Sequence, residues 1–77
     1  MSDLVKRSLS LSGHRTSVAL EPEFWAVLDT IATVRQQSFA SLVATLDATR
    51  PPERPLASAL RVAALMHLQK ELKTPDQ

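Results

Sequence analysis

Basic side chains are concentrated at the N-terminal end of the sequence. Lys6, Arg7 and Arg15 lie there with the titratable His14, and Asp3 is the only acid before position 21. Such groups either contact an anionic partner or remain solvated surface charges. The formal net charge of +1 neither requires nor excludes a nucleic-acid partner. The uneven distribution of charge is therefore more informative than its total.

The residue types that catalysis requires are present but are not arranged for it. No base is placed to activate a serine, and five carboxylates have no histidine at helical spacing: Glu21, Glu23, Asp29, Asp47 and Glu53. A single glycine cannot form a glycine-rich phosphate loop. With no cysteine and two histidines, the chain is not expected to hold a structural zinc ion. We therefore expect no enzyme activity, no cofactor and no metal.

The length of the chain limits its stability as a monomer. A sequence of 77 residues forms one domain at most and buries little apolar surface. The chain has no cysteine, so no disulfide can stabilise it. Dimerisation is the remaining common source of stability. No apolar run approaches the roughly 20 residues of a membrane span, and the N-terminus lacks the apolar segment of a signal peptide. We expect a cytoplasmic protein that does not bind membranes.

The N-terminal region alternates between apolar and polar residues. Residues 14–20 are predicted to form a strand, whose successive side chains point to opposite faces. Residues 8–12 form either an extended arm or a second strand. Gly13 between the two segments favours a bend or a bulge. One face of the predicted strand carries Thr16, Val18 and Leu20, and the other carries Arg15, Ser17 and Ala19.

Three helices are predicted after the strand. Pro22 in the first helical turn opens a helix that runs to about residue 35. Ser38 is a good N-cap for the second helix, which the stretch TRPPERP at residues 49–55 ends. The third helix runs from residue 56 to about residue 72.

The predicted divisions of the chain are a basic extended arm (1–13), a folded domain (14–72) and a disordered tail (73–77).

A single short strand leaves unpaired N–H and C=O groups on both of its edges. A hairpin through Gly13-His14 would pair it within the chain, but that dipeptide is not typical of a tight hairpin turn. Alternatively, the strand pairs antiparallel with the same strand of a second chain across a two-fold axis. We favour the second arrangement, in which Val18 and Leu20 enter a core shared by both chains.

Three segments carry a resemblance to a known family. They are RTSVALEPEFWAVLDTIA (15–32), SFASLVATLD (38–47) and LASALRVAALMHL (56–68). Together they resemble the ribbon-helix-helix superfamily, and the opening KRS…GHRTSVxLEPEFW resembles a bacterial subgroup of small proteins with that fold. The resemblance implies a mainly α homodimer with three helices per chain. It also implies that one N-terminal strand of each chain pairs antiparallel across the dimer.

The resemblance further implies a small transcriptional regulator that binds double-stranded DNA and places its ribbon in the major groove. Ala19 departs from the polar or basic residue often found at its position, and offers only a methyl contact. The start of the second helix would direct N–H groups at a phosphate. The implied DNA-binding residues are Lys6, Arg7, His14, Arg15, Ser17, Ala19, Ser38, Phe39, Ala40 and Ser41. The implied dimer core consists of Val18, Leu20, Phe24, Trp25, Leu28, Ile31, Leu42 and Leu46.

A protein-interaction module is the alternative function. The same dimer, acting as an antitoxin or an adaptor, would bind a partner protein through the ribbon or the third helix. The near-neutral net charge and Ala19 favour this alternative, whereas the basic N-terminal residues oppose it. Small residues in the third helix permit close packing, which favours a place for that helix in the core. They are Ala57, Ala59, Ala63 and Ala64.

Overall fold

A computed structural model describes residues 3–73 of the chain. The predicted mainly α fold with three helices is confirmed, and two strands rather than one precede the helices. Residues 74–77 of the predicted tail and the first two residues of the predicted arm lie outside the described residues. The elements are β1 (Val5–Leu11), β2 (His14–Leu20), α1 (Pro22–Val34), α2 (Phe39–Thr49) and α3 (Leu56–Lys73).

The two strands form an antiparallel hairpin within one chain. Their register runs from Val5 opposite Leu20 to Leu11 opposite His14, which leaves a two-residue loop. Both loop residues have positive φ, 51° at Ser12 and 81° at Gly13. A type I′ turn requires positive φ at both positions, and its twist matches that of the flanking strands. The turn therefore sets the register of the whole sheet.

The strand at residues 14–20 has a partner within its own chain. Residues 14–20 form the predicted strand and pair with Val5–Leu11. Pairing of this strand with a second copy of the chain stays a prediction. Residues 8–12 thus contribute to a second strand, and most of the predicted arm belongs to the sheet. The hairpin alternative placed the turn at Gly13-His14, whereas the turn lies at Ser12-Gly13, because Ser12 adopts a left-handed conformation that is uncommon for a residue other than glycine. Each strand keeps one outer edge.

The inner face of the hairpin packs against all three helices. Leu9, Val18 and Leu20 from the strands are buried, and β1 contacts α2 while β2 contacts α3. Of the eight residues predicted for a dimer core, six are buried in the core of the single chain and two are partly buried against it. The buried six are Val18, Leu20, Trp25, Leu28, Ile31 and Leu42, and the partly buried pair is Phe24 and Leu46. Their contribution to a dimer stays a prediction.

Local signals explain where the first two helices begin and end. Pro22 occupies the first turn of α1, after Glu21 in an extended conformation. At the other end, Gln36 has φ of 57°, and its N–H donates to the Thr33 carbonyl while the Gln37 N–H donates to the Ala32 carbonyl. These two bonds form a Schellman motif, which satisfies carbonyls that the helix end leaves free.

The second helix begins as predicted from its cap. The Ser38 hydroxyl accepts a hydrogen bond from the Ser41 N–H at 3.0 Å. α2 ends at Thr49 before the prolines, and α3 then returns across the molecule. Ala59, Leu60 and Ala64 of α3 are buried, so the small residues of this helix do allow close packing against the core.

Candidate nucleic-acid interface

The hairpin has an outer face that points away from the core. Three cross-strand pairs build it: Lys6 opposite Ala19, Ser8 opposite Ser17, and Ser10 opposite Arg15. Alternation along each strand directs these side chains away from Leu9 and Val18. Five of the six are exposed, and Ala19 is half-buried. We call these six residues the outer face of the hairpin.

The outer face combines two cations with three hydroxyl groups. Lys6 and Arg15 lie near opposite ends of it, about four strand residues or roughly 13 Å apart. Ser8, Ser10 and Ser17 are short side chains that both donate and accept hydrogen bonds. Because none of the six residues is acidic or bulky, the face can approach an anionic surface closely. This is the chemistry expected of a surface that contacts phosphates and base edges.

Arg7 lies on the other face of the hairpin and takes part in a different arrangement. Its guanidinium donates to both carboxylate oxygens of Asp29, each at 3.0 Å. The same guanidinium lies 4.6 Å from the ring centroid of Trp25 and 4.8 Å from that of Phe39. The hydrogen bonds to Asp29 raise the pKa of Arg7 above its usual value. Arg7 therefore ties β1 to α1 and α2 rather than standing beside Lys6 and Arg15.

Trp25 completes the attachment of β1. Its indole Nε1 donates to the Val5 carbonyl at 2.7 Å, and its ring meets Phe39 edge to face at 5.7 Å. Sequence reasoning missed the contribution of Asp29. A signal was available, because Asp29 follows Trp25 by four residues and so lies on the same side of α1. The N-terminal strand is thus held by one ion pair, one hydrogen bond and aromatic packing.

His14 is exposed at the tip of the hairpin, opposite Leu11. By strand alternation its side chain lies on the inner side of the ribbon, away from the neighbouring Arg15. The structure therefore does not bring His14 together with the outer face.

The beginning of α2 lies beside β1. A groove of about 250 Å³ separates the two elements and is lined by Ser8, Leu9, Ser10, Leu11, Phe39, Ala40 and Val43. The Ser41 N–H is used by the Ser38 cap, and the Ser41 hydroxyl accepts from Gln37 at 3.0 Å. The N–H groups of Phe39 and Ala40 remain as donors of the first helical turn. Phe39 itself is half-buried, so its ring serves the core rather than the surface.

Two further arginines are held by carboxylates. Arg61 of α3 donates to Glu21 at 3.0 and 3.2 Å and lies over the Phe24 ring. A hydrogen bond from its own backbone N–H, followed by the bond from Arg61, lowers the pKa of Glu21. Arg50 donates to Asp47 at 2.8 Å. Within residues 3–73 these pairs leave Lys6 and Arg15 as the cations of the hairpin without an ion-pair partner.

A model of the ribbon-helix-helix domain matches residues 4–68, which include both strands and most of α3. The chain belongs to the ribbon-helix-helix family. Ribbon-helix-helix proteins are generally DNA-binding transcription regulators or antitoxins, bind DNA as dimers and are typically not enzymes. Comparison with curated proteins and comparison with solved structures each found no match.

The ribbon-helix-helix domain also carries an apolar surface on its helical side. A groove of about 720 Å³ between α1, α2 and α3 includes Val34, Leu46 and Met66 in its lining. Val34 and Met66 are 66% and 58% exposed, so together they leave an apolar surface at this groove. Beside the groove, α3 exposes three leucines at spacings of three and four residues, which places them on one stripe. They are Leu65, Leu68 and Leu72.

No group of three or more His, Cys, Asp or Glu side chains within residues 3–73 is placed to hold a metal ion. None of the helices in that range is long and apolar enough to cross a membrane.

Proposed function

We propose that this chain is a small dimeric transcriptional regulator of the bacterial cytoplasm that binds double-stranded DNA sequence-specifically. The observation that carries the proposal is the outer face of the hairpin, which joins Lys6 and Arg15 to small hydroxyl side chains and has no acid. The major groove admits a two-stranded ribbon and shows a distinct donor and acceptor pattern for each base pair. Family membership supports the same conclusion.

Each proposed contact follows from the chemistry of its side chain. Arg15 can form two parallel hydrogen bonds with a guanine edge, and Ser17 can donate to or accept from a base. Ala19 contributes a methyl contact with thymine. Lys6 pairs with a phosphate as a point charge. These four residues would lie together in the major groove of the DNA.

The remaining predicted contacts would lie at the margins of this interface. The first turn of α2, residues 38–41, offers N–H groups and the positive end of the helix dipole to a phosphate. His14 at the hairpin tip can reach a flanking phosphate. Arg7 contributes by holding the strand in place, since its guanidinium binds both carboxylate oxygens of Asp29.

A second copy of the chain is the proposed occupant of the apolar helical surface. Val18 and Leu20 are already buried within one chain, so a dimer must bury other apolar side chains. Exposed Val34, Leu65 and Met66 supply them. Burial of this surface in a dimer would increase the stability of a small domain that has no disulfide.

Fluorescence anisotropy with a duplex from upstream of the protein's own gene tests the function. We expect binding that prefers this duplex to a scrambled one and weakens steeply between two salt concentrations. Arg15→Ala should weaken binding at least several-fold, because it removes a side chain that contacts DNA directly and touches no core residue. Unchanged affinity of the variant would contradict the assignment of the outer face.

A protein-interaction module is the second candidate, and the exposed apolar groove favours it. An antitoxin or adaptor would use this groove, or the edges of the ribbon, to bind another protein. Binding to DNA separates the two candidates. Absence of binding to any duplex at low salt would favour the interaction module.

A further inference from the structure

We infer that two chains join through the free edges of their β2 strands while each chain keeps its own hairpin, which gives a four-stranded sheet in the order β1, β2, β2, β1. This inference rests on the proposed dimer. The family resemblance implies that β2 pairs across the dimer, so that the central ribbon has one strand from each chain. The inference adds that β1 stays paired with β2 as the outermost strand, and that Ser17 lies on the two-fold axis.

The turn determines which backbone groups of β2 remain unpaired. In a β-turn the carbonyl of the first residue accepts from the N–H of the fourth, so Leu11 and His14 form a hydrogen-bonded pair across the two-residue loop. Hydrogen-bonded and non-hydrogen-bonded pairs then alternate along an antiparallel ladder. The N–H and C=O groups of Arg15, Ser17 and Ala19 therefore point away from β1, towards the free edge of β2.

The free edge of β2 is more open to another strand than the outer edge of β1. The edge of β1 faces the start of α2 across the groove of about 250 Å³, which Phe39, Ala40 and Val43 line on the α2 side. A strand added to β1 would meet this helix. Arg15 and Ser17 of β2 are exposed. Since an open strand edge presents a row of donors and acceptors to any strand that can pair with it, we assign the contact to β2.

The edge of β2 is complementary to itself. An antiparallel pair with its two-fold axis at Ser17 places Ser17 opposite Ser17 of the second copy, and Arg15 opposite Ala19 of the second copy. All three residues with outward backbone groups then pair in both chains. Moving the axis to Thr16 or Val18 leaves one of the three without a strand residue opposite it. A second copy of the chain is therefore the occupant that satisfies this edge most fully.

The same register separates the positive charges of the two chains. Like charges directly opposite each other destabilise a cross-strand pair, and here Arg15 faces an alanine. Ala19 then lies between Lys6 of its own chain and Arg15 of the second copy, all in one row across the sheet. A lysine or arginine at position 19 would place three cations side by side. The register thus gives a physical reason for a small, uncharged residue at this position.

A pair of proline variants tests which edge is used. Ser17 and Ser8 lie opposite each other, and the N–H of each points out of the hairpin. Ser17→Pro removes an N–H from the free edge of β2, and the matched control Ser8→Pro removes one from the outer edge of β1. A strand tolerates proline where the N–H faces outward. Circular dichroism of each variant establishes that the fold is kept, and sedimentation equilibrium measures self-association.

We expect Ser17→Pro to weaken self-association at least about tenfold, because the two-fold axis removes one hydrogen bond from each chain at the centre of the contact. Ser8→Pro should change the association constant less than about twofold, as is usual for a surface substitution. A stronger effect of Ser8→Pro than of Ser17→Pro would overturn the inference.

A locked hairpin tests whether β1 stays in place. The chain has no cysteine, so Lys6→Cys/Ala19→Cys can form one disulfide within the chain, between residues that lie directly opposite each other. Mass spectrometry verifies that this disulfide joins residues of the same chain. The oxidised and reduced forms should associate equally, because β1 does not leave β2 in the four-stranded sheet. Loss of association in the oxidised form would mean that β1 must separate first, and would overturn the inference.

Failure of the inference and failure of the proposed function are distinguishable, because self-association is measured without DNA. If the wild-type chain dimerises and Ser17→Pro dimerises equally well, the edge of β2 is not the contact, while a dimer through the apolar helical surface stands. If the wild-type chain is monomeric at all concentrations, the proposed dimer fails and this inference fails with it.

Discussion

Arg7 and Arg15 show how position alone separates the roles of two identical side chains. They lie on the two strands of one hairpin but on opposite faces, because Arg7 pairs with Val18 and Arg15 pairs with Ser10. Arg7 therefore meets Asp29 and two aromatic rings, whereas Arg15 extends into solvent. Arg7 contributes to stability, and Arg15 is available for binding.

Replacing Arg7 tests this division of roles. Arg7→Ala should lower the free energy of unfolding by about 1–2 kcal/mol, since it removes two partly exposed cation–π contacts and one partly exposed ion pair. Arg7→Lys should lower it less, because an ammonium group keeps the positive charge. It should still lower it, because an ammonium group cannot form the bidentate hydrogen bonds with Asp29. Urea unfolding followed by circular dichroism measures both changes.

Arg15→Ala is the matched control for this measurement, since it removes the same side chain from the outer face. Its free energy of unfolding should stay within about 0.5 kcal/mol of the wild-type value. Equal stability of the Arg7→Ala and Arg15→Ala variants would contradict a structural role for Arg7.

At the scale of elements, the hairpin depends on two residues with positive φ. Gly13 adopts this conformation without strain, and Ser12 adopts it at some cost. A Cβ added at Gly13 would meet no atom within 4 Å. Any loss of stability on substitution at Gly13 therefore reports backbone conformation rather than a steric clash.

Substitutions in the turn should change stability in opposite directions. Gly13→Ala should lower the free energy of unfolding by about 1–2 kcal/mol, the usual cost of a left-handed conformation for a residue with a Cβ. Ser12→Asn should raise it by roughly a few tenths of a kcal/mol, because asparagine tolerates this conformation and is common in such turns. Thermal unfolding of the two variants measures both effects, and a loss of stability in Ser12→Asn would argue against this turn.

The elements also show which features of the fold local sequence signals can predict. Pro22, Ser38 and the prolines after Thr49 fix helix ends through contacts within a few residues, so those ends were predictable. Alternation likewise predicted which face of β2 carries Arg15, Ser17 and Ala19. The pairing of β1 with β2 was only one of two alternatives, because it depends on the conformation of Ser12. The place of Arg7 depends on Asp29, 22 residues away. The spacing of Asp29 from Trp25 indicates the side of α1 that Asp29 occupies, but it does not indicate that Arg7 reaches it.

At the scale of the whole molecule, the two sides of the domain differ in character. The hairpin side is polar and basic on its outer face, while the helical side exposes apolar residues of α1 and α3. The two surfaces can therefore be tested separately. One is proposed to bind DNA, and the other is proposed to bind a second copy of the chain.

Met66→Glu should weaken self-association at least about tenfold, since a two-fold dimer would bring the introduced carboxylate into an apolar interface in both subunits. The variant should stay folded, because Met66 is largely exposed in the single chain. Sedimentation equilibrium over a range of concentrations measures the association constant. Ala48→Glu, on the exposed part of α2, is the control. If wild-type and Met66→Glu chains have the same mass at all concentrations, the dimer does not use this groove.

The intrachain hairpin also has a consequence for the order of events when the protein folds. A ribbon built from two chains cannot exist before the chains collide, so its strands would form at a rate that depends on protein concentration. Here both strands lie within residues 5–20 and are joined by a two-residue loop. Such a hairpin closes locally, in roughly 1–10 μs for isolated examples. The two-stranded sheet of each chain can therefore form before any assembly step.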